Sequence, residues 1–275
     1  MSSADDKPVG ENSPLEMARV EAGLSAARLG TKFHYFFELD STNRQARRLA
    51  EAGAREGEIV IAEQQTQGRG RLGRAWVSPP HVNLYLSAVL RPKLAPAHAP
   101  QITLMAAVAL ADAIAAFIPV PPEIKWPNDI LSSGKKLAGI LTESSCNSER
   151  LEFVILGIGV NLNFSLSSMP EEIRGRAGSL LELRGARVDR ESFIRRLIQD
   201  LDQCYGILVE SGFAAIAARW ESYFALRNRR VRVDMIDQVL FGRAKGLDRD
   251  GALIVESDDG AAQRIVAGDV IPLAD

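Results

Sequence analysis

Cysteine and histidine are scarce in this 275-residue chain. Cys146 and Cys204 stand far apart, and His34, His81 and His98 are equally scattered. No disulfide framework and no structural zinc site can be built on that spacing, and a reducing cytoplasm fits best. Excess charge is missing too. The net charge is −2, so no global basic field invites nucleic acid, and any positive charge used for function must be local. The opening MSSADDKPVGENSP has neither the basic n-region nor the apolar h-region of a signal peptide. One stretch approaches a membrane span, ITLMAAVALADAIAAFIPV at 102–120, but Asp112 interrupts it and much of it is alanine. It is predicted to be a buried helix ending before Pro119, with no membrane involved. G-x-S-x-G is absent and the histidines lack a partner pattern, which sets a serine hydrolase aside.

What remains is ordinary for a globular protein: 46% hydrophobic and 25% charged residues, in a chain long enough for one large domain and a small one. Residues 1–14 read as disordered, and a short amphipathic helix is predicted over Leu15–Leu29. KFHYFFEL at 32–39 is strand-like, and DSTNRQARRLAEAG after it has helix-start chemistry closed by Gly53. EIVIAEQQ (58–65), VNLYLSAVL (82–90) and RLEFVILGIGVNLN (150–163) read as strands, and the last ends in a glycine-rich corner. PPEIKWPNDILSSGKKLAGILTES parses as strand, Pro-Asn-Asp turn, Ser-Gly hairpin and strand. One or two helices cover 190–224. From about Arg229 short strands alternate with Asp-Gly turns, a small barrel-like tail of about fifty residues. The order points to an α+β protein of two domains.

Between the second and third strands lies QQTQGRGRLGRAW, 64–76, with a literal G-x-G-x-x-G at Gly68, Gly70 and Gly73. A dinucleotide fingerprint would need a helix after the third glycine and an acid about 20 residues on. RAWVSPP forbids the helix and RPKLAP offers no acid, so that reading is rejected. The arginines become the signal. Glycines let a loop wrap closely around a ligand, and Arg69, Arg71 and Arg74 present always-charged forks that match carboxylates and phosphates. An exposed basic turn is the plain alternative, and the loop alone does not decide between them.

Other stretches bear on the choice. KWPND at 125–129 packs a cation, an aromatic, a turn, an amide and a carboxylate into five residues. Pro127 and Asn128 suit a turn, Trp126 suits a core, and Asp129 beside cations and amides suits a magnesium–nucleotide site. In KKLAGIL (135–141) Lys135 reads as solvated, while Lys136 points to the opposite face. GIGVNLN (157–163) is either a tight turn or a place where a flat ligand approaches closely.

Taken together, STN (41–43), QQxxGRGRxGRxW (64–76), KWPND (125–129), KLAGIL (136–141) and GIGVN (157–161) resemble the biotin–protein ligases, in order and in spacing. The tail, with FGRAKGLDRDGALIVES, is similar to that family's C-terminal domain. The resemblance implies a mixed sheet with inserted helices, like class II synthetases, followed by a small SH3-like β-barrel. The implied organisation is an extension over 1–30, a catalytic biotin- and ATP-binding domain over 31–226, and the small domain over 227–275. It implies an enzyme that joins biotin to Mg-ATP as biotinoyl-5′-AMP, then passes biotin to a lysine of a biotin carboxyl carrier domain of a biotin-dependent carboxylase. ATP and biotin would be substrates, with Mg²⁺ as cofactor.

By matching positions, Ser41, Thr42, Asn43 and Gln65 would hold the ureido end of biotin, with Gly139 and Gly159 also in its pocket. Arg69, Gly70, Arg71 and Lys136 would lie along its carboxylate and the adenylate linkage. Arg74, Trp76, Lys125, Asn128, Asp129 and Asn161 would face the nucleotide, with Asp129 at the metal. Arg71, Lys136 and Asp129 are the expected catalytic set, and Trp76 the expected stacking partner for adenine. The glycines would let the loop open for the carrier lysine. About thirty residues before the first core strand are too few for the DNA-binding domain of the bifunctional relatives, so no nucleic-acid partner is expected, and a monomer or weak homodimer is. A lipoate or octanoate ligase is the nearest rival, sharing fold and acyl-adenylate logic, and a non-catalytic biotin or nucleotide sensor is another.

Overall fold

A computed structural model describes residues 12–147, 150–165, 167 and 169–273. In chain order the elements are α1 (Met17–Glu21), β1 (Lys32–Leu39), α2 (Thr42–Glu51), β2 (Glu58–Gln65), β3 (Leu84–Leu90), α3 (Ala99–Ala115) and β4 (Glu123–Lys125). Then follow β5 (Asp129–Ser132), β6 (Lys135–Cys146), β7 (Leu151–Val160), α4 (Glu171–Arg174), α5 (Leu180–Arg184), α6 (Arg190–Ser211) and α7 (Phe213–Tyr223). The chain closes with β8 (Arg230–Asp234), β9 (Val239–Leu247), β10 (Leu253–Glu256), β11 (Ala262–Ile265) and β12 (Asp269–Pro272).

Strands β1 to β7 form one seven-stranded sheet in the order β1-β2-β3-β7-β6-β5-β4. Only β1 and β2 pair in parallel, because α2 carries the chain back between them; the other pairs are antiparallel. The pleat sends alternate side chains to opposite faces. One face, with Ile59, Ile61, Leu84, Leu86, Leu156 and Ile158, packs into the main core under α3, α6 and α7. The other, with Val60, Val89, Phe153 and Ile155, is covered by Ala46 and Ala50 of α2. Hence β3 is buried along its whole length, and its expected alternation separates two cores rather than core from water.

The apolar run becomes α3, buried on nearly every side. Asp112 is accommodated because Arg219 and Tyr223 of α7 reach it, the phenol at 2.6 Å. Strands β8 to β12 form a five-stranded antiparallel sheet, β11-β10-β9-β8-β12. Its backbone is tied to α7 and to the turn after β4: Glu221 accepts from the Leu247 N–H at 2.7 Å, and Trp126 Nε1 donates to Gly251 O at 3.4 Å.

The amino-terminal reading needs correction. Of the expected disordered segment, residues 1–11 lie outside the described residues. The expected Leu15–Leu29 helix shrinks to the single turn of α1; Leu15, Val20 and Leu29 are buried against the core, and after α1 the chain continues through a turn and bends. Carboxylates take over where helical hydrogen bonds are missing. Asp202 accepts from the N–H groups of Ala27, Arg28 and Leu29 (3.0, 2.6 and 2.8 Å), and Glu63 from Leu15 at 2.6 Å.

Candidate active site

On the α2 side of the sheet, beyond the part that the helix covers, the strands are paved with glycine. Register sets Gly139 of β6 opposite Gly159 of β7, and Leu141 opposite Gly157. On β3, Tyr85 stands opposite Gly159 and Ser87 opposite Gly157. All these residues share the parity of the α2-facing side, and the missing side chains leave a floor. A Cβ on Gly157 would overlap the Asn43 amide, and one on Gly159 would lie 2.6 Å from Trp76 Cε2. Gly139 has 3.2 Å to both Trp76 and Lys136. The glycine-rich corner is therefore a place of close side-chain approach. Above the floor opens a cleft of about 650 Å³.

Every expected site residue lines this cleft. Ser41, Thr42, Asn43 and Gln65, expected at the ureido group, come together in it with Gly157 beneath Asn43, whereas Gly139 and Gly159 lie beneath Trp76. Ser41, Thr42 and Asn43 are buried, and the Ser41 side chain does not cap α2. Their neighbours fix them. Thr42 donates through N and Oγ1 to Gln65 Oε1 (2.9 and 3.1 Å), and Gln65 Nε2 donates to Ser78 Oγ at 3.0 Å. Ser87 Oγ, set at 2.8 Å from Thr42 Oγ1, also lies 2.7 Å from Asn43 Oδ1.

The glycine-arginine loop crosses the middle. Gly70 N donates to Arg74 O at 2.7 Å and Trp76 N to Gly68 O at 2.9 Å, so the loop folds on itself and presents its guanidinium groups in different directions. Arg69 reaches Glu143 (3.1 and 3.2 Å), and its buried Nε has no hydrogen-bond partner. Arg71 donates to Asn128 Oδ1 (3.1 Å) and Gly268 O (3.3 Å) and lies 3.7 Å from Asp269. Arg74, two-thirds exposed, also pairs with Asp269. Burial draws the Arg71 guanidinium below its usual value, and the charges of Asp269 and Asp129 oppose that shift. The three arginines thus share two carboxylates of the chain itself, which leaves one positive charge in excess. Neither Glu143 nor Asp269 was anticipated from the sequence, where each is an isolated acid on a strand with no motif around it.

Lys136 stands 2.6 Å from Asp129 Oδ1 and 5.4 Å from the Trp76 ring centroid. That oxygen is buried and, though close to the ammonium, accepts no aligned hydrogen bond. Lys135, expected to be solvated, is half-exposed, and its ammonium also bonds to Gly175 O as the side chain lies against Gly178. Trp126 is core, as its composition suggested. Two residues expected at the nucleotide are also committed to the fold. Asn128 Nδ2 donates to Ile140 O at 2.7 Å, and Asn161 Nδ2 to Gly178 O at 3.0 Å. Lys125, Phe164, Met169 and Arg176 also line the cleft.

Trp76 lies flat on Gly139 and Gly159, with its Nε1 buried and unpartnered. It borders Lys136 rather than the far end of the cleft. Among the described residues no three histidine, cysteine or acidic side chains cluster as a metal site, so Asp129 is a lone carboxylate. A buried oxygen without an aligned donor suits magnesium held mainly by substrate phosphates.

Comparison with known proteins agrees with this geometry. The model of the biotin/lipoate A/B protein ligase family matches residues 35–161, and that of the biotin protein ligase C-terminal domain matches 228–271. Biotin–[acetyl-CoA-carboxylase] ligase of Mycobacterium tuberculosis is 36% identical over 239 residues, covering 85% of this chain and 86% of that protein. The bifunctional ligase/repressor BirA of Bacillus subtilis is 35% identical over 256 residues, 93% of this chain and 78% of the relative. The solved biotin protein ligase from Aquifex aeolicus in complex with biotin and ATP superposes with a TM-score of 0.76 at 28% identity, covering 89% of this chain and 100% of that one. The chain therefore belongs to the biotin/lipoate A/B protein ligase family, among its biotin protein ligases.

Proposed function

We propose that this protein, an ATP-dependent biotin ligase by family, works in two steps. It joins biotin to Mg-ATP as biotinoyl-5′-AMP, then delivers biotin to one lysine of a biotin carboxyl carrier domain. The observation that supports this most is one continuous cleft with a neutral, hydrogen-bonding end and a cationic middle. A urea needs donors and acceptors but no charge, which suits Ser41, Thr42, Asn43 and Gln65. Joining a carboxylate to an α-phosphate brings two anions into contact, and their repulsion is large where water is excluded. Arg69, Arg71 and Lys136 are the cations within reach of that junction.

In the first step the biotin carboxylate oxygen attacks the α-phosphorus and pyrophosphate leaves. Lys136 and the loop arginines hold both anions in line and neutralise the charge that builds on the phosphorus oxygens. Before that, Arg71 must exchange Asp269 for substrate, and Arg69 must turn one face of its guanidinium from Glu143 toward it. Magnesium bound with the nucleotide supplies positive charge at the leaving pyrophosphate, and Asp129 is the residue that would hold it. In the second step the carrier amine attacks the acyl carbonyl and AMP leaves with the bonding electrons. The amine, with a reference pKa of about 10.4, must lose a proton first. Asp129 is kept here for the metal and Lys136 rather than as the base. Trp76, Arg74, Lys125, Asn128 and Asn161 are assigned to the nucleotide side. The division into an extension, a catalytic domain over 31–226 and a small domain over 227–275 belongs to the same reading.

The test is transfer. With biotin, Mg-ATP and a purified carrier domain, one lysine should gain one biotinyl group, and omission of ATP should abolish it. An Asp129→Asn variant should fail already at adenylation; normal adenylation with loss of transfer alone would make Asp129 the base.

A further inference from the structure

Glu143 lies in the middle of β6, and its neighbours on that strand show which way it faces. Thr142 turns to α3, where its hydroxyl meets Thr103 at 2.7 Å, so Glu143 projects to the cleft side. There its carboxylate takes two partners from different parts of the site. Asn43 Nδ2 donates to Oε2 at 2.8 Å, and Arg69 donates to both oxygens at 3.1 and 3.2 Å. Asn43 is otherwise fixed by Ser87 Oγ and by Leu141 O, to which its Nδ2 donates at 3.1 Å. It has no room to move, since it lies directly over Gly157. Glu143 is therefore held in place on its Asn43 side. The Arg69 side is the more exposed one: Arg69 sits on the loop, about one-third exposed, against 23% for Glu143.

We infer that Glu143 is a positioning residue that anchors the glycine-arginine loop to the biotin pocket, through Arg69 on one side and Asn43 on the other. The inference rests on the two-step reading above. An acyl-adenylate must stay enclosed between the two steps, and it leaves if the loop opens early. A carboxylate shared between a pocket amide and a loop guanidinium makes loop closure depend on the state of the pocket. When Arg69 turns toward substrate, its second hydrogen bond to Glu143 can persist, because a guanidinium presents five donors in a fixed fork. Loop and pocket then close as one unit.

The experiment uses the full chain, loaded with labelled biotin and Mg-ATP and then freed of excess ligand. It follows the escape of biotinoyl-AMP with time, and separately measures the KM for biotin in pyrophosphate exchange. Glu143→Gln keeps an acceptor for Asn43 but removes the charge from Arg69. It should speed escape about two- to fivefold, the weight of one half-buried ion pair, with the biotin KM within about twofold. Glu143→Ala should change both. In an Arg69→Ala background, Glu143→Gln should add nothing, since both remove one link. Wild-type escape in Glu143→Gln, multiplied effects in the double variant, or a biotin KM that moves in step with escape would each overturn the proposal. Should the glutamine variant not fold, Glu143→Asp holds the charge one methylene short of Arg69 and must still speed escape; wild-type retention there would overturn it equally. Failure of the two-step reading would show instead in the wild-type protein, as an absence of biotin-dependent exchange.

Discussion

The ion pair between Lys136 and Asp129 is the most direct sign of what the cleft does to charge. An ammonium half-buried among Gly139, Trp76 and a carboxylate is placed to meet a second anion, not to stabilise the fold. Replacing Lys136 with alanine should therefore leave thermal stability nearly unchanged. Biotin-dependent pyrophosphate exchange should fall by about tenfold to a hundredfold, the loss of a charge-assisted contact of about 1.5–3 kcal/mol. Stopped-time exchange assays beside a melting curve check both halves, and normal exchange would remove Lys136 from the reacting centre. At this scale the sequence was informative because residue type and chemistry coincide: arginines, a lysine and amides in five short motifs all reach one cleft. It was silent where partners are single residues far along the chain. Glu143 meets Arg69 across 74 positions and Asp269 meets Arg74 across 195, and no local pattern carries that information.

Among the elements, β2 shows how a strand can bind the molecule together through one buried acid. The Glu63 side chain is fully buried, paired with Arg190 of α6 at 2.6 Å, and accepts from Tyr35 at 2.8 Å and from the Leu15 N–H. Burial alone would raise its pKa, but Arg190, the Leu15 N–H and Tyr35 outweigh it and hold the carboxyl below the ordinary glutamate value. A depressed folded value means that the stabilisation is complete above the unfolded pKa. It is lost as pH falls below about 4.3 and through the lower folded value. Glu63→Gln should flatten the acid limb of a stability–pH curve, and Arg190→Ala at neutral pH should cost about 3–5 kcal/mol by stranding a buried charge. Urea melts across the acid range measure both; an unchanged acid limb in Glu63→Gln would refute the assignment. The strands themselves were legible from composition, β1 and β2 to the residue. The amino-terminal helix was not, because Leu15, Val20 and Leu29 meet the core along a path of one helical turn followed by bends, which an apolar period alone does not distinguish from a longer helix.

For the whole molecule, the small carboxy-terminal sheet borders the cleft. Asp269 on β12 receives both Arg71 and Arg74, and Gly268 O receives Arg71, so the loop rests on that sheet. Asp269→Ala should raise the KM for ATP about two- to fivefold while moving stability by less than about 1 kcal/mol, because Arg74 is largely exposed. Titration of exchange against ATP reads this, and an unchanged KM would make the contact incidental. The tail's strand texture was visible in the sequence; its contact with the loop arose only on folding. The account stands most directly on the first half-reaction, measured as ATP–pyrophosphate exchange with biotin, lipoate and octanoate in parallel. Exchange with biotin alone is the predicted result. Exchange with lipoate or octanoate instead, or none with any of the three despite biotin binding, would contradict it.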